Sequence, residues 1–252
     1  MGKEYVKARL YLHAVLPLLE EVTKRDKQAR DIVKKLSGVV QFSAPGGLYA
    51  QVEFKNGEVF VYPGREKRPS VILFLPTHKM LNNMFGGKGF ALPIPIKGIF
   101  RMGLIKGFTK LADRLSFHMA PQTKPPIGDE KTLITSLLFY AATFGAVIVG
   151  DCDETAVDIV KKIPAGTALI DIARGPSVVI TKTKDAFTVK KGAAESYTAH
   201  LGFRNTDLAY DMFTGKLDFM AAIPLGDATL AGSLAMVDQF AQLMEKAGGY
   251  LA

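Results

Sequence analysis

The chain repeats itself, and that limits its architecture more tightly than any single motif. Asp31–Lys35 reads DIVKK, and the same five residues recur at Asp158–Lys162, 127 residues later. One extra residue, Ala165, moves the offset to 128. The register then holds for Gly38 and Gly166, Val61 and Val189, Gly64 and Gly192, and Gly98 and Gly226. Met84, Phe85, Gly87 and Lys88 fall on Met212, Phe213, Gly215 and Lys216 in the same way. A five-residue match alone could be chance. A nearly constant offset across some 70 residues reads as two copies of one domain. The 252 residues then divide into a first copy at 1–122, a linker at 123–128 and a second copy at 129–252, with Pro and polar residues marking the join.

Each copy reads as a long helix, three strands, a fourth strand, a helix, a fifth strand and a last helix. In the first copy, Val39–Ser43, Leu48–Phe54 and Glu58–Tyr62 are β-rich, and Asn56-Gly57 is a strong hairpin signal. Ser70–Leu75 makes the fourth strand. Thr77 is placed to cap a helix ending at Gly86-Gly87, and the fifth strand falls near Ile96–Met102. The second copy repeats this with Ala168–Ala173, Ser177–Thr183, Ala186–Lys190, Thr198–Phe203, a helix opening at Asn205 or Thr206, and a strand near Ala228–Ala231. Leu234, Val237, Phe240, Ala241 and Met244 then form one apolar helical stripe.

Charge separates the copies. The chain carries a formal +8, but residues 1–126 hold net +12 and residues 127–252 net −4. A basic field of this kind draws anionic surfaces or ligands, or is simply a solvated face. The single cysteine, Cys152, excludes an internal disulfide and a cysteine zinc site, which suits a reducing cytosol.

Two segments imitate membrane signals. Thr132–Gly150 is a run of 19 uncharged residues, close to the ~20 of a spanning helix. Thr132, Thr135, Ser136, Tyr140 and Thr143 make it less apolar than its length suggests. Its counterpart in the first copy, within Glu4–Leu36, carries Lys7, Arg9, Glu20 and Glu21, so a buried helix is the expectation. At the N-terminus, His13 and Pro17 interrupt the apolar Leu10–Leu19, no small-residue cleavage site follows, and Val6 stands where myristoylation needs Ser or Thr. Cytoplasmic residence is the expectation.

Thr214-Gly215-Lys216-Leu217, followed by Ala221-Ala222, Gly226 and Gly232, resembles the sterol carrier protein type 2 family, whose C-terminal half has this pattern at this spacing before its last helix. The first copy keeps Gly87-Lys88 and Gly98 but has Pro93 and Ile94 in place of the Ala pair. The fold this implies is α+β: two tandem sterol-carrier-like domains, each a five-stranded, mostly antiparallel sheet covered by helices. The first is the divergent, basic copy and the second is closer to the family pattern. The resemblance also implies a tunnel between sheet and helices that accepts a fatty acid, acyl-CoA, sterol or phospholipid tail.

Catalytic chemistry is weakly represented. His13, His78, His118 and His200 lack metal-ligand spacing, and Cys152 has no nearby His. Asn82–Gly89 (NNMFGGKG) fails as a phosphate loop, because Asn82 stands where its first Gly belongs and Gly89 where Ser or Thr belongs. Asp151, Asp153 and Glu154 suit a helix N-terminus better than a cation site. No enzyme activity, cofactor or metal is expected.

The apolar candidates have two readings, core or ligand lining: Met212, Phe213, Phe219, Met220, Leu234, Met236, Phe240 and Met244, with Met84, Phe85, Phe90, Phe100, Met102 and Phe108 in the first copy. Lys88, Lys97, Arg101 and Lys106, interleaved with apolar residues, would meet a ligand headgroup or an anionic membrane surface. The leading expectation is thus a non-enzymatic lipid or acyl-chain carrier, with peripheral membrane contact and oligomerisation open. The alternative is a non-binding structural or dimerisation module. Nucleic-acid binding has only Phe60 and Tyr62 as stacking candidates and is not expected.

Overall fold

The structure, a computed structural model, describes residues 2–87, 92–120, 124–184, 186–217, 226 and 228–252. They form two compact units, Gly2–Ala120 and Pro121–Tyr250.

In the first unit, α1 (Lys3–Leu10) continues through a widened π turn at Tyr11–Val15 and a tight 3-10 turn at Leu16–Leu18 into α2 (Leu19–Arg25). Pro17 is the cause. It has no N–H to donate, and its ring crowds the carbonyl one turn back. Asp26 ends α2 and caps α3 (Lys27–Val33), accepting from the Gln28 and Ala29 N–H groups. Strands β1 (Gly38–Ala44), β2 (Leu48–Lys55), β3 (Glu58–Tyr62), β4 (Val71–Phe74) and β5 (Ile94–Lys97) form one sheet in the order β3-β2-β1-β4-β5. β1 and β4 run parallel and the other neighbours antiparallel. Asn56 and Gly57 both have positive φ, 55° and 78°, which makes the tight β2–β3 hairpin. Thr77 caps α4 (His78–Phe85) through the Met80 N–H, and α5 (Met102–Met119) closes the unit. The expected fifth strand lies earlier than read, because Met102 already opens α5.

The second unit opens on α6 (Gly128–Cys152), unbroken because it has no proline. It is long and apolar enough to cross a membrane, and 78% of its most apolar stretch is buried inside the protein. Its polar side chains are satisfied within the helix: Thr135, Ser136, Thr143 and Cys152 each donate to the carbonyl four residues back. A 3-10 turn at Glu154–Ala156 and α7 (Val157–Lys162) follow. Next come β6 (Gly166–Ile172), β7 (Ser177–Lys182), β8 (Phe187–Lys191), β9 (Ala199–Phe203), α8 (Thr206–Phe213), β10 (Ala228–Gly232) and α9 (Leu234–Leu251). The sheet order β8-β7-β6-β9-β10, with β6 and β9 parallel, is the order of the first sheet. After α8, Gly215 takes φ 72° while its N–H donates to Met212 and the Lys216 N–H to Asp211, the two bonds of a Schellman end.

One correspondence expected from the repeat differs in the structure. Gly98 corresponds structurally to Gly232 and not to Gly226. Both have positive φ, 82° and 73°, and a β-carbon at either would collide with a strand carbonyl, that of Ser70 or of Thr198. Ser70 and Thr198 are themselves 128 apart, so the register survives on β4 and β9. The second unit has simply inserted residues between α8 and its last strand, and a glycine inside that insertion took the place of the true match.

In each unit a buried carboxylate ties the end of the opening helical segment to the last helix. Asp26 Oδ2 accepts from Arg114 at 2.6 and 2.8 Å and lies 2.9 Å from His118 Nε2. In the second unit, Asp153 accepts from the Thr155 backbone and hydroxyl, receives the Tyr250 hydroxyl at 3.0 Å, and lies 3.6 Å from Lys246 Nζ. Burial alone would raise the Asp26 carboxyl, but the bonds from His118, Arg114 and the Ala29 N–H outweigh it and bring it down to about 2. Burial and the Asp153 hydrogen bond push Tyr250 up to about 12.

These shifts set the pH dependence of folding. The Asp26 contribution is complete above its ordinary value of 3.8 and disappears as pH falls through about 2. It amounts to about 2 kcal/mol at neutral pH. The Tyr250 contribution is complete below pH 10 and is lost as pH rises through about 12. In urea melts across pH, Asp26→Asn is expected to lose about 2 kcal/mol at neutrality and to flatten the acid limb of the profile. Tyr250→Phe is expected to flatten the alkaline limb instead. An unchanged acid limb in Asp26→Asn would refute the anchor.

Candidate functional site

The interior of the first unit is filled by rings. Phe85 stacks on Tyr11 at 5.6 Å and meets Phe42 edge-on at 5.7 Å, while Phe108 packs against Phe42 at 5.1 Å. Two of the residues expected to line a ligand space, Phe85 and Phe108, thus meet around Phe42 on the helix-covered face of the sheet. Met84 is half-buried beside them in sequence. In the second unit, Phe213 packs edge-on to Phe139 and against Phe203 at 6.2 and 5.7 Å, and Phe240 meets Phe187 at 6.0 Å. Met236 and Met244 are buried with Phe240 on α9; Met212 is half-buried and Leu234 exposed. Phe90, Lys88, Phe219 and Met220 lie outside the described residues.

A groove opens elsewhere in the first unit, along α3 and the N-terminal half of α5. Its volume is about 780 Å³. Ile32, Leu36, Phe100, Leu104 and Gly107 give it an apolar wall, while Lys35, Arg101, Lys106 and Lys110 supply four cations around it. The geometry follows from the chain. Asp26 starts α3 and fixes the far half of α5 through Arg114 and His118. Gly107 then lets α5 approach so closely that a β-carbon there would collide with Leu36. Ahead of Gly107, α5 begins without a side-chain cap at Arg101.

Three expected residues, Phe100, Arg101 and Lys106, meet at this groove, and Phe100 is 98% exposed at its mouth. Met102 is also exposed. Lys97 is exposed, and its ammonium donates to the Pro69 carbonyl at 2.7 Å. The residues missed from sequence are the opposite wall, Ile32, Lys35 and Leu36. Ile32 and Lys35 sit in or end the DIVKK string that marks the repeat, so the signal was present but was read only as a register mark.

A second space of about 530 Å³ lies on the other face of the first sheet, among Gln41, Ser43, Tyr49, Arg65, Lys67 and Phe74. Its polar floor is internally bonded. Gln51 donates to Gln41 and the Lys67 carbonyl, the Lys67 N–H returns a bond to Gln51, and Gln41 donates to Ser43. The guanidinium of Arg65 covers the Tyr49 ring at 3.5 Å. The histidines are spread over separate structural contacts: His13 on the Tyr49 carbonyl, His78 on that of Pro45, His118 on Asp26 and His200 on Asp171. Among the described residues, no three His, Cys, Asp or Glu side chains gather as metal ligands.

No family model matches the chain, and no curated protein does. Solved structures of sterol carrier protein 2 domains are similar to it. The sterol carrier protein domain 2 of Helicoverpa armigera is 16% identical over 44% of this chain and 88% of its own, with a TM-score of 0.34. The apo sterol carrier protein 2 from Yarrowia lipolytica is 18% identical over 42% of this chain and 92% of its own, with a TM-score of 0.31. A palmitated sterol carrier protein 2-like domain from Aedes aegypti is 18% identical over 33% and 73%, with a TM-score of 0.25.

The Gly107 approach is directly testable. Gly107→Ala is expected to lower the stability of the first unit by no more than about 1 kcal/mol, since the half-buried Leu36 side chain must give way while alanine gains about 1 kcal/mol of helix propensity. Leu36→Ala in the same chain should remove the clash, so that the double variant loses less than the sum of the single losses in urea denaturation. Strict additivity would show that the helices do not meet here.

Proposed function

We propose that the chain binds and carries a lipid with an acyl chain and an anionic head, without performing chemistry on it, and that it is built of two tandem sterol-carrier-like domains. The observation that supports this most directly is the groove between α3 and α5. It pairs one apolar wall with four cationic side chains against a single carboxylate, Asp31. An acyl chain laid along Ile32, Leu36 and Leu104 gains roughly 0.8 kcal/mol for each methylene removed from water. Its carboxylate or phosphate then comes within reach of Lys35, Arg101 and Lys106, all of them solvent-exposed. Sequestration of this kind needs no nucleophile or metal. A cytosolic location is part of the same reading and is supported by the single cysteine, which is a buried thiol.

The packed rings inside each unit favour a second reading, a closed structural module whose interior takes no ligand. The two readings part on one measurement. In vesicle-free buffer, a fluorescent long-chain fatty acid is expected to bind the full chain, and Ile32→Trp, which fills the half-buried wall, should weaken binding at least roughly tenfold at unchanged melting temperature. No probe binding, together with no lipid on solvent extraction of the purified protein, would support the closed module.

A further inference from the structure

Half of the exposed large apolar side chains among the described residues fall within eleven consecutive positions. Leu92, Ile94, Ile96, Ile99, Phe100 and Met102 are 48–98% exposed. They run from just before β5, the edge strand of the first sheet, through the turn that follows it to the first residue of α5. An apolar group this concentrated on a water-facing edge marks an interaction surface. The surrounding stretch of chain is basic, and Asp31 is the carboxylate that lines the adjoining groove. From Lys67 to Ala112 the sequence contains eight Lys and Arg and no Asp or Glu. Lys97, Arg101 and Lys106 are interleaved with the apolar residues themselves.

We infer that this edge, Leu92–Met102, docks the protein on an anionic lipid bilayer, with Ile94, Ile99 and Phe100 entering the interface and Arg101 and Lys106 at the level of the headgroup phosphates. The inference does not depend on a ligand in the groove. A second copy of the chain fits the surface less well, for two reasons. A strand added to β5 would face Pro95, which has no N–H to donate, beside a register shift in the β4–β5 ladder. A symmetric contact would also bring like charges together. A bilayer asks for no backbone partner and rewards both the apolar area and the cations.

The full chain has no tryptophan, so Phe100→Trp provides a single fluorescent reporter at the most exposed of these positions. With vesicles of phosphatidylcholine containing phosphatidylglycerol, its emission is expected to shift to the blue and to be quenched by brominated acyl chains; with phosphatidylcholine alone the shift should be much smaller. Co-sedimentation with the anionic vesicles should fall at least roughly tenfold in Ile94→Ser/Ile99→Ser. It should fall roughly tenfold in Arg101→Gln/Lys106→Gln and weaken with added salt. Because Ile94 and Ile99 are not groove residues, their double variant should keep its fatty-acid probe binding in vesicle-free buffer, which separates failure of docking from failure of ligand binding. Unchanged Trp emission on anionic vesicles would overturn the inference. So would self-association in sedimentation velocity without lipid that is abolished by Ile94→Ser/Ile99→Ser, since this would assign the edge to a second copy.

Discussion

A buried carboxylate at the end of the first helix holds each unit together. Asp26 and Asp153 sit 127 residues apart, the offset of the DIVKK strings. Each caps the turn that follows it, and each receives two side chains from the last helix, spaced i and i+4: Arg114 and His118, or Lys246 and Tyr250. A carboxylate has about four acceptor positions, and burying it is tolerable only when these are occupied. The cap thus fixes the last helix as well as the turn. The donors differ between the units while the geometry persists, because the requirement is for donors at two successive turns of one helix face and not for a particular residue.

The same economy governs the contact between the first helix and the helix after the fourth strand. In the first unit Asn82 donates to the Glu4 backbone and carboxylate; at the corresponding positions of the second unit, the Lys131 ammonium lies over the Tyr210 ring at 5.1 Å. A hydrogen bond in one unit is a cation–π contact in the other, and the helices still pack. Backbone contacts are less forgiving. Gly98 and Gly232 touch a neighbouring strand's carbonyl so closely that no side chain fits, and glycine stands at both.

Where a lipid would lie follows from these anchors. Asp26 holds the far end of α5 and Gly107 draws its middle onto Leu36, and beside this contact runs an apolar wall edged with four cations and Asp31. The rings around Phe42 occupy the space between sheet and helices. The proposed ligand site therefore lies at the surface, beside the exposed edge of β5, and the proposed docking surface and the groove share Phe100 and Arg101 at their border. In such an arrangement a lipid leaving the bilayer would meet the groove without crossing bulk water.

The sequence by itself determined the alternation of elements, the hairpin at Asn56-Gly57, the cap at Thr77, and the asymmetry of charge, because these rest on local backbone preference and composition. It also marked the aromatic and methionine positions that could be core or lining. Only the tertiary structure shows which of the described ones face inward. Phe85, Phe108, Met236 and Phe240 sit inward, Phe100 and Leu234 outward, since neighbours on other elements settle burial and periodicity along one helix does not. It decided that Gly98 answers to Gly232, because what marks each is the lack of room for a β-carbon beside a neighbouring carbonyl, and that of Ser70 lies 28 residues before Gly98. It also brought Ile32 and Leu36 to face Leu104, about 70 residues on, and a contact that distant leaves no local pattern to read.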